Sequence, residues 1–170
     1  MQGAAPVTTA AADRSRTFTW TDPAITVAAA RSMSGLELMS ALVRGELPRP
    51  PVADLVDFDL AKVAEGEVEF QFEPREFHYN PIGTVHGGII ATLLDSALGC
   101  CVHTTVPAGG GYTTLEIKVN YVKAVLAATG RMHCTARVIH RGRRVATAEA
   151  WLRAADGALY AHGSTTCMIF

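Results

Sequence analysis

The residues from Gly87 to Val102, GGIIATLLDSALGCCV, constrain the fold more than any other part of the chain. Ile89, Ile90, Leu93, Leu94, Ala97, Leu98, Cys101 and Val102 recur at helical spacing and spread over more than half of a helix circumference, and much of the remainder is small. A helix over about Gly88 to His103, at about 1.5 Å per residue, is roughly 24 Å long and must be covered on most sides. What covers it is read from the flanks. Val68, Phe70 and Phe72 alternate with Glu67, Glu69, Gln71 and Glu73, and Leu115, Ile117, Val119 and Tyr121 alternate with Glu116, Lys118 and Asn120. Three more strand-like runs follow at 131–140, 144–154 and 158–169, with HRGRR (140–144) and AADG (154–157) as hairpin turns. The pattern predicts an α+β domain in which an antiparallel sheet curls around one central helix.

At 170 residues the chain supports one domain of ordinary size. The main domain is expected over 57–170. It is preceded by a disordered tail over 1–16 and an extension over 17–56. In that extension Leu36, Leu38, Met39, Leu42 and Val43 give Gly35–Leu47 an amphipathic helical pattern, ended by the proline run 48–51. Such a helix could be a linker or a lid, packed on its own domain or on a neighbouring subunit.

A formal net charge of -1 leaves no footprint for nucleic acid or an anionic membrane. The apolar run is short for a membrane span and carries Asp95, and the first residues lack the plan of a signal peptide, so a soluble cytoplasmic protein is expected. Cys100, Cys101, Cys134 and Cys167 form no CxxC pair, and His78, His103, His133, His140 and His162 show no HxxxH or HExxH spacing. No metal and no organic cofactor are expected.

One residue is out of keeping with the central helix. An ionised carboxylate is costly to enclose, so Asp95 either meets a basic or capping partner or is kept for chemistry. Ala91 and Gly99, a turn away on either side, leave room beside it. His86-Gly87-Gly88 stands at the helix start, where backbone N–H groups lack intrahelical acceptors and could hold a carbonyl oxygen that gains charge. Asn80 precedes a proline and reads as a turn former whose amide could also orient a water or a carbonyl.

Taken together, Asn80-x-x-Gly83-x-x-His86-Gly87-Gly88, then Asp95, then a strand closing with Asn120-Tyr121 (KVNYVKAV), resembles the hotdog-fold acyl-CoA thioesterases of the PaaI-like branch, over about Asp57 to Phe170. The resemblance implies two subunits with sheets joined side by side, as a homodimer or a dimer of dimers, and active sites at the subunit interface. It implies Asp95 as general base or nucleophile, the Gly87 N–H as polariser of the thioester carbonyl, and Asn80 as holder of the water or substrate. His86 would be a positioning group. A strand hydroxyl would approach the carboxylate; Thr114 is the first choice and Thr113 the second. Gly88 would help bind substrate. The site would be shared, with Asp95 facing Gly87 and Asn80 of a second copy. Where many relatives have Arg-Pro after the strand's aromatic residue, this chain has Lys123-Ala124, which keeps a cation but not a bidentate fork. Lys123 and the turn residues Arg141, Arg143 and Arg144 are the candidates for the CoA phosphates. The expected activity is hydrolysis of an acyl-CoA to a free acid and CoA. The alternatives are a hotdog enoyl-CoA hydratase or dehydratase using His86 with Asp95, and a non-catalytic acyl-CoA-binding protein.

Overall fold

The computed structural model describes residues 13–170, so the expected tail lies outside the described residues as far as residue 12. Among the described residues, four α-helices and six strands follow in the order α1 (Ala24–Ala30), α2 (Gly35–Val43), α3 (Pro51–Val56), β1 (Phe58–Ala64), β2 (Glu67–Phe72), α4 (Gly87–His103), β3 (Tyr112–Tyr121), β4 (Met132–Arg141), β5 (Val145–Ala154) and β6 (Leu159–Ile169). The strands form one antiparallel sheet in the spatial order β1-β2-β4-β5-β6-β3.

The sheet wraps α4. Leu93, Leu94, Ala97, Leu98, Cys101 and Val102 are shut off from solvent on the helix. Facing them, Phe70, Phe72, Met132, Cys134, Leu152 and Cys167 are buried on the strands. On β5 the inward positions Ala146, Ala148 and Ala150 are small, which lets the middle of the sheet come close to the helix. This is the hotdog architecture.

Two details depart from simple alternation. The predicted single face of β3, with Leu115, Ile117, Val119 and Tyr121 together, is broken by a bulge between Thr114 and Glu116. Ile117, Val119 and Tyr121 lie opposite Thr165, Gly163 and Ala161, but the bulge pushes Leu115 outward, leaves it 57% exposed, and sets Thr114 opposite the buried Cys167. In the extension, α2 stops at Val43 rather than Leu47, because Gly45 takes a left-handed conformation (φ 72°). The prolines do not merely stop a helix: Pro51 occupies the first turn of α3, where its missing N–H costs nothing.

The extension is tied to its own domain. Ser34 and Glu37 cap α2 reciprocally, and the Gly35 N–H donates to the Val106 carbonyl at 2.9 Å. A side chain at Gly35 would stand 1.8 Å from the His103 carbonyl oxygen, so only glycine lets α2 meet the end of α4 this closely. Arg49 spans the next junction, donating to the Phe58 carbonyl at 2.9 Å and pairing with Asp54 and Asp59. Upstream of α1, Arg16 donates to the Leu55 and Asp54 carbonyls and lies over the Phe77 ring.

His78 closes the loop that leads into α4. It is buried; its Nδ1 accepts from the Arg75 N–H at 2.9 Å while its Nε2 donates to the Val56 carbonyl at 2.8 Å, an arrangement that requires the neutral ring. Burial lowers the pKa of His78, and burial also lowers that of His103. Below the ordinary histidine value of about 6.5 the unfolded chain therefore binds protons that the folded chain refuses, and stability falls as pH drops. Melting temperature is expected to decline from pH 7 to pH 5, and His78→Gln should flatten that decline. A slope unchanged by the substitution would show that His78 does not carry it.

Candidate active site

Asp95 sits midway along α4, half-buried, with its carboxylate turned toward β3. The Thr114 hydroxyl donates to Asp95 Oδ1 at 3.0 Å. The bulge after Thr114 makes this bond possible, since uninterrupted alternation would have turned Thr113 toward the helix instead. Thr113 is exposed on the opposite face, across from Met168. Beside the carboxylate opens a cavity of about 470 Å³. Ser96, Cys100, Tyr112 and Thr114 share its inner end with Asp95, and Met39, Leu42, Phe58, Leu60 and Phe70 form much of its apolar wall.

No thiol competes with the acid there. Burial pushes Cys100 up to about 12, and the neighbouring Asp95 charge adds to the shift. Tyr112 is likewise driven well above the ordinary phenol range, by burial first. The Ser96 hydroxyl is spent on the Thr92 carbonyl at 2.8 Å.

A second cluster surrounds the start of α4. His86 is the N-cap, and its Nδ1 accepts from the Gly88 N–H at 2.8 Å, so that Gly88's donor is already used. The Gly87 N–H meets no acceptor among the described residues, and it points from the positive end of the helix. The Tyr121 hydroxyl donates to the Gly87 carbonyl at 2.9 Å. Asn80 shapes the approach: its Oδ1 accepts from the Ile82 and Thr84 N–H groups at 3.0 and 3.2 Å, its Nδ2 donates to Thr84 Oγ1 at 3.0 Å, and Gly83, at φ 81°, closes the turn. It is the turn former, with one amide hydrogen left over. Asn80, Thr84, Gly87, Tyr121 and Lys123 line a hollow of about 280 Å³.

The predicted residues thus fall into groups. Asp95 joins Thr114 at one cavity; Asn80, Gly87 and Lys123 line another, and His86 and Gly88, the neighbours of Gly87 in the chain, line neither. Along one helix the step from Gly87 to Asp95 is about 12 Å of rise, too far for both to touch one carbonyl group. The basic turn borders neither: Arg141 donates to Thr105 Oγ1 at 3.2 Å beyond the far end of α4, and Arg143 and Arg144 are exposed. Tyr121 and Tyr112 are not among the expected site residues, and the extension, which the sequence leaves as a linker or a lid, lies at the cavity wall. Tyr121 had a signal in the KVNYVKAV run; the others depend on contacts between distant elements.

Among the described residues, no group of three or more His, Cys, Asp and Glu side chains could hold a metal ion, and no helix is long and apolar enough to cross a membrane.

Residues 82–161 match the thioesterase superfamily. Acyl-coenzyme A thioesterase 13 of Homo sapiens is 30% identical over 108 residues, 63% of this chain and 76% of that protein. Among solved structures, a phenylacetic acid degradation-related protein of Ralstonia eutropha is 30% identical with a TM-score of 0.69, covering 76% of this chain and 98% of the other. A Streptococcus mutans protein bound to acetyl CoA is 25% identical with a TM-score of 0.61, covering 66% of this chain and 88% of the other.

Burial raises the pKa of all four thiols. The folded protein is therefore expected to resist iodoacetamide at pH 7.5, with four adducts appearing by mass spectrometry only after denaturation. Rapid labelling of Cys100 in the native state would contradict the raised pKa of its thiol.

Proposed function

The chain belongs to the thioesterase superfamily, as a hotdog-fold thioester hydrolase of the PaaI-like branch, and from that premise we propose that it hydrolyses acyl-CoA thioesters at a site completed by a second copy of itself. The acyl carbonyl oxygen accepts from the Gly87 N–H, whose position at the positive end of α4 favours the charge that builds up during attack. Asp95, oriented by Thr114, either takes a proton from a water that attacks the carbonyl carbon, or attacks that carbon itself to give an acyl–Asp95 anhydride that a water then hydrolyses to the free acid and Asp95. The C–O bond forms, the C–S bond breaks, and the thiolate of CoA leaves with little need for acid help. The water proton held by the carboxylate returns to the thiolate.

The observation that carries this reading is the way β3 holds both halves of the site. Thr114 near its start is bonded to Asp95, Tyr121 at its end is bonded to Gly87, and β3 is the last strand of the sheet, paired only to β6 among the described residues. An exposed strand edge of this length calls for a partner. If two copies pair antiparallel about a two-fold axis between Ile117 and Lys118, position 114 of one lies opposite position 121 of the other. Asp95 of one copy then meets Gly87 and Asn80 of the second, and each interface holds two equivalent sites. The acyl-CoA thioesterase and the acetyl CoA complex among the relatives support CoA as the carrier. Lys123 lines the Gly87 hollow, and in this reading it meets a CoA phosphate as a point charge. The hydratase alternative would need His86 as an acid or base through its Nε2, since its Nδ1 is committed to the Gly88 N–H.

Asp95→Asn is expected to lower kcat for thiol release from acyl-CoA by about a hundredfold or more at unchanged circular dichroism. Gly87→Pro removes the donor, and Gly87→Ala is its control. Proline is tolerated at the first helical position, and His86 has the extended backbone (φ -60°, ψ 133°) that a following proline demands; the added Cβ comes 3.2 Å from the Tyr121 ring in both variants, but only proline loses the N–H. The expected effect of Gly87→Pro is a loss of about a hundredfold to a thousandfold in kcat. Undiminished hydrolysis by folded Asp95→Asn or Gly87→Pro would refute the role assigned to that residue.

A further inference from the structure

Resting on the thioesterase reading, we propose that the segment from Gly35 to Leu60 builds an acyl-chain chamber, and that it restricts the substrate to apolar acyl groups of about six to twelve carbons, a range set by the cavity volume. The cavity beside Asp95 is chemically polarised: the carboxylate and Thr114 stand at the inner end, while Met39, Leu42, Val43 and Val52 of the extension, with Phe58 and Phe70, make the sides. Arg49 and Asp59 stand on its outer part, paired with one another at 3.1 Å.

Two properties choose the acyl chain over the pantetheine arm as the occupant. Pantetheine brings amides and a hydroxyl that need partners when buried, and the α2 wall offers methyl and thioether groups only. The chamber also starts where the reacting carbon must be, because Asp95 lines it. At about 470 Å³ the whole space equals about sixteen methylene groups at about the 30 Å³ of a water molecule in the liquid, and with its outer part given to Arg49 and Asp59 the apolar length takes on the order of a dozen.

The wall is held at both ends. At one end Gly35 is seated against the His103 carbonyl and bonded to Val106; at the other Arg49 bonds the Phe58 carbonyl and pairs with Asp54 and Asp59. A wall fixed in this way discriminates by length: added methylenes gain contact until the chamber is full and clash beyond that.

The test is the dependence of kcat/KM on chain length, with butyryl-, octanoyl- and hexadecanoyl-CoA, for the wild-type protein and two variants. Wild type is expected to favour octanoyl-CoA over butyryl-CoA by at least about tenfold and to lose efficiency with hexadecanoyl-CoA. Leu42→Trp, which fills the chamber from α2, should lower the octanoyl-to-butyryl ratio at least about tenfold. Met39→Ala, which enlarges it, should raise the hexadecanoyl-to-octanoyl ratio, with thermal unfolding confirming the fold of both. Hydrolysis with neither ratio moved would overturn the chamber and leave the thioesterase reading intact. If wild type released no thiol from any of the three, that reading would fail, and calorimetry with the S-butyl and S-octyl thioethers of CoA would decide the chamber separately. Selective weakening of the octyl compound by Leu42→Trp supports it, and equal weakening of both overturns it.

Discussion

The hydrogen bond from Thr114 to Asp95 is the contact on which the rest of the site depends. A carboxylate halfway along an enclosed helix must find a donor, and the sheet that encloses the helix supplies it through Thr114. Simple alternation along β3 would bring Thr113 to that face. The bulge at Leu115 exchanges the two threonines and leaves Leu115 in solvent. An exposed leucine and an interrupted ladder are the cost of orienting one acid, and the rest of β3 returns to register with Ile117 opposite Thr165.

The same strand bridges the two proposed catalytic groups, which lie apart within one chain. The helix start offers an unengaged N–H and the helix middle offers a carboxylate, and about 12 Å of helical rise separates them. Bending the helix to join them would break the packing of Leu93, Leu94, Ala97 and Leu98 that holds the domain together. A second copy joins them at no such cost, provided that the free edge of β3 is where the copies meet. Sheet extension and site completion are then one event. The extension completes a different part of the molecule, since Gly35 and Arg49 fasten α2 and α3 over the cavity beside Asp95.

Much of this was legible from residues alone. The near-continuous apolar girth of α4 dictated a surrounding sheet, the strands at 131–140, 144–154 and 158–169 lie within a residue of their observed bounds, and the acid in the helix pointed to the cavity that it lines. What could not be read involved contacts between distant elements. The β3 bulge depends on how Thr114 and Cys167 meet, and the choice between Thr114 and Thr113 followed from it. Pro51 reads as a helix stop until Pro50 is seen extended ahead of it, where it becomes a helix start. Gly35 is unremarked in the sequence because its reason, the His103 carbonyl, is 68 positions away along the chain.

The central claim is that each active site takes Asp95 from one copy and the Gly87 N–H from another. Equal amounts of Asp95→Asn and Gly87→Pro protein, each inactive alone, should be unfolded together, refolded and assayed for thiol release. Random pairing makes half of the dimers mixed, each with one intact site of two, so about a quarter of wild-type activity should return. If both groups served from the same chain, no mixed dimer would hold an intact site, and activity that stayed at the level of the separate variants would contradict the account.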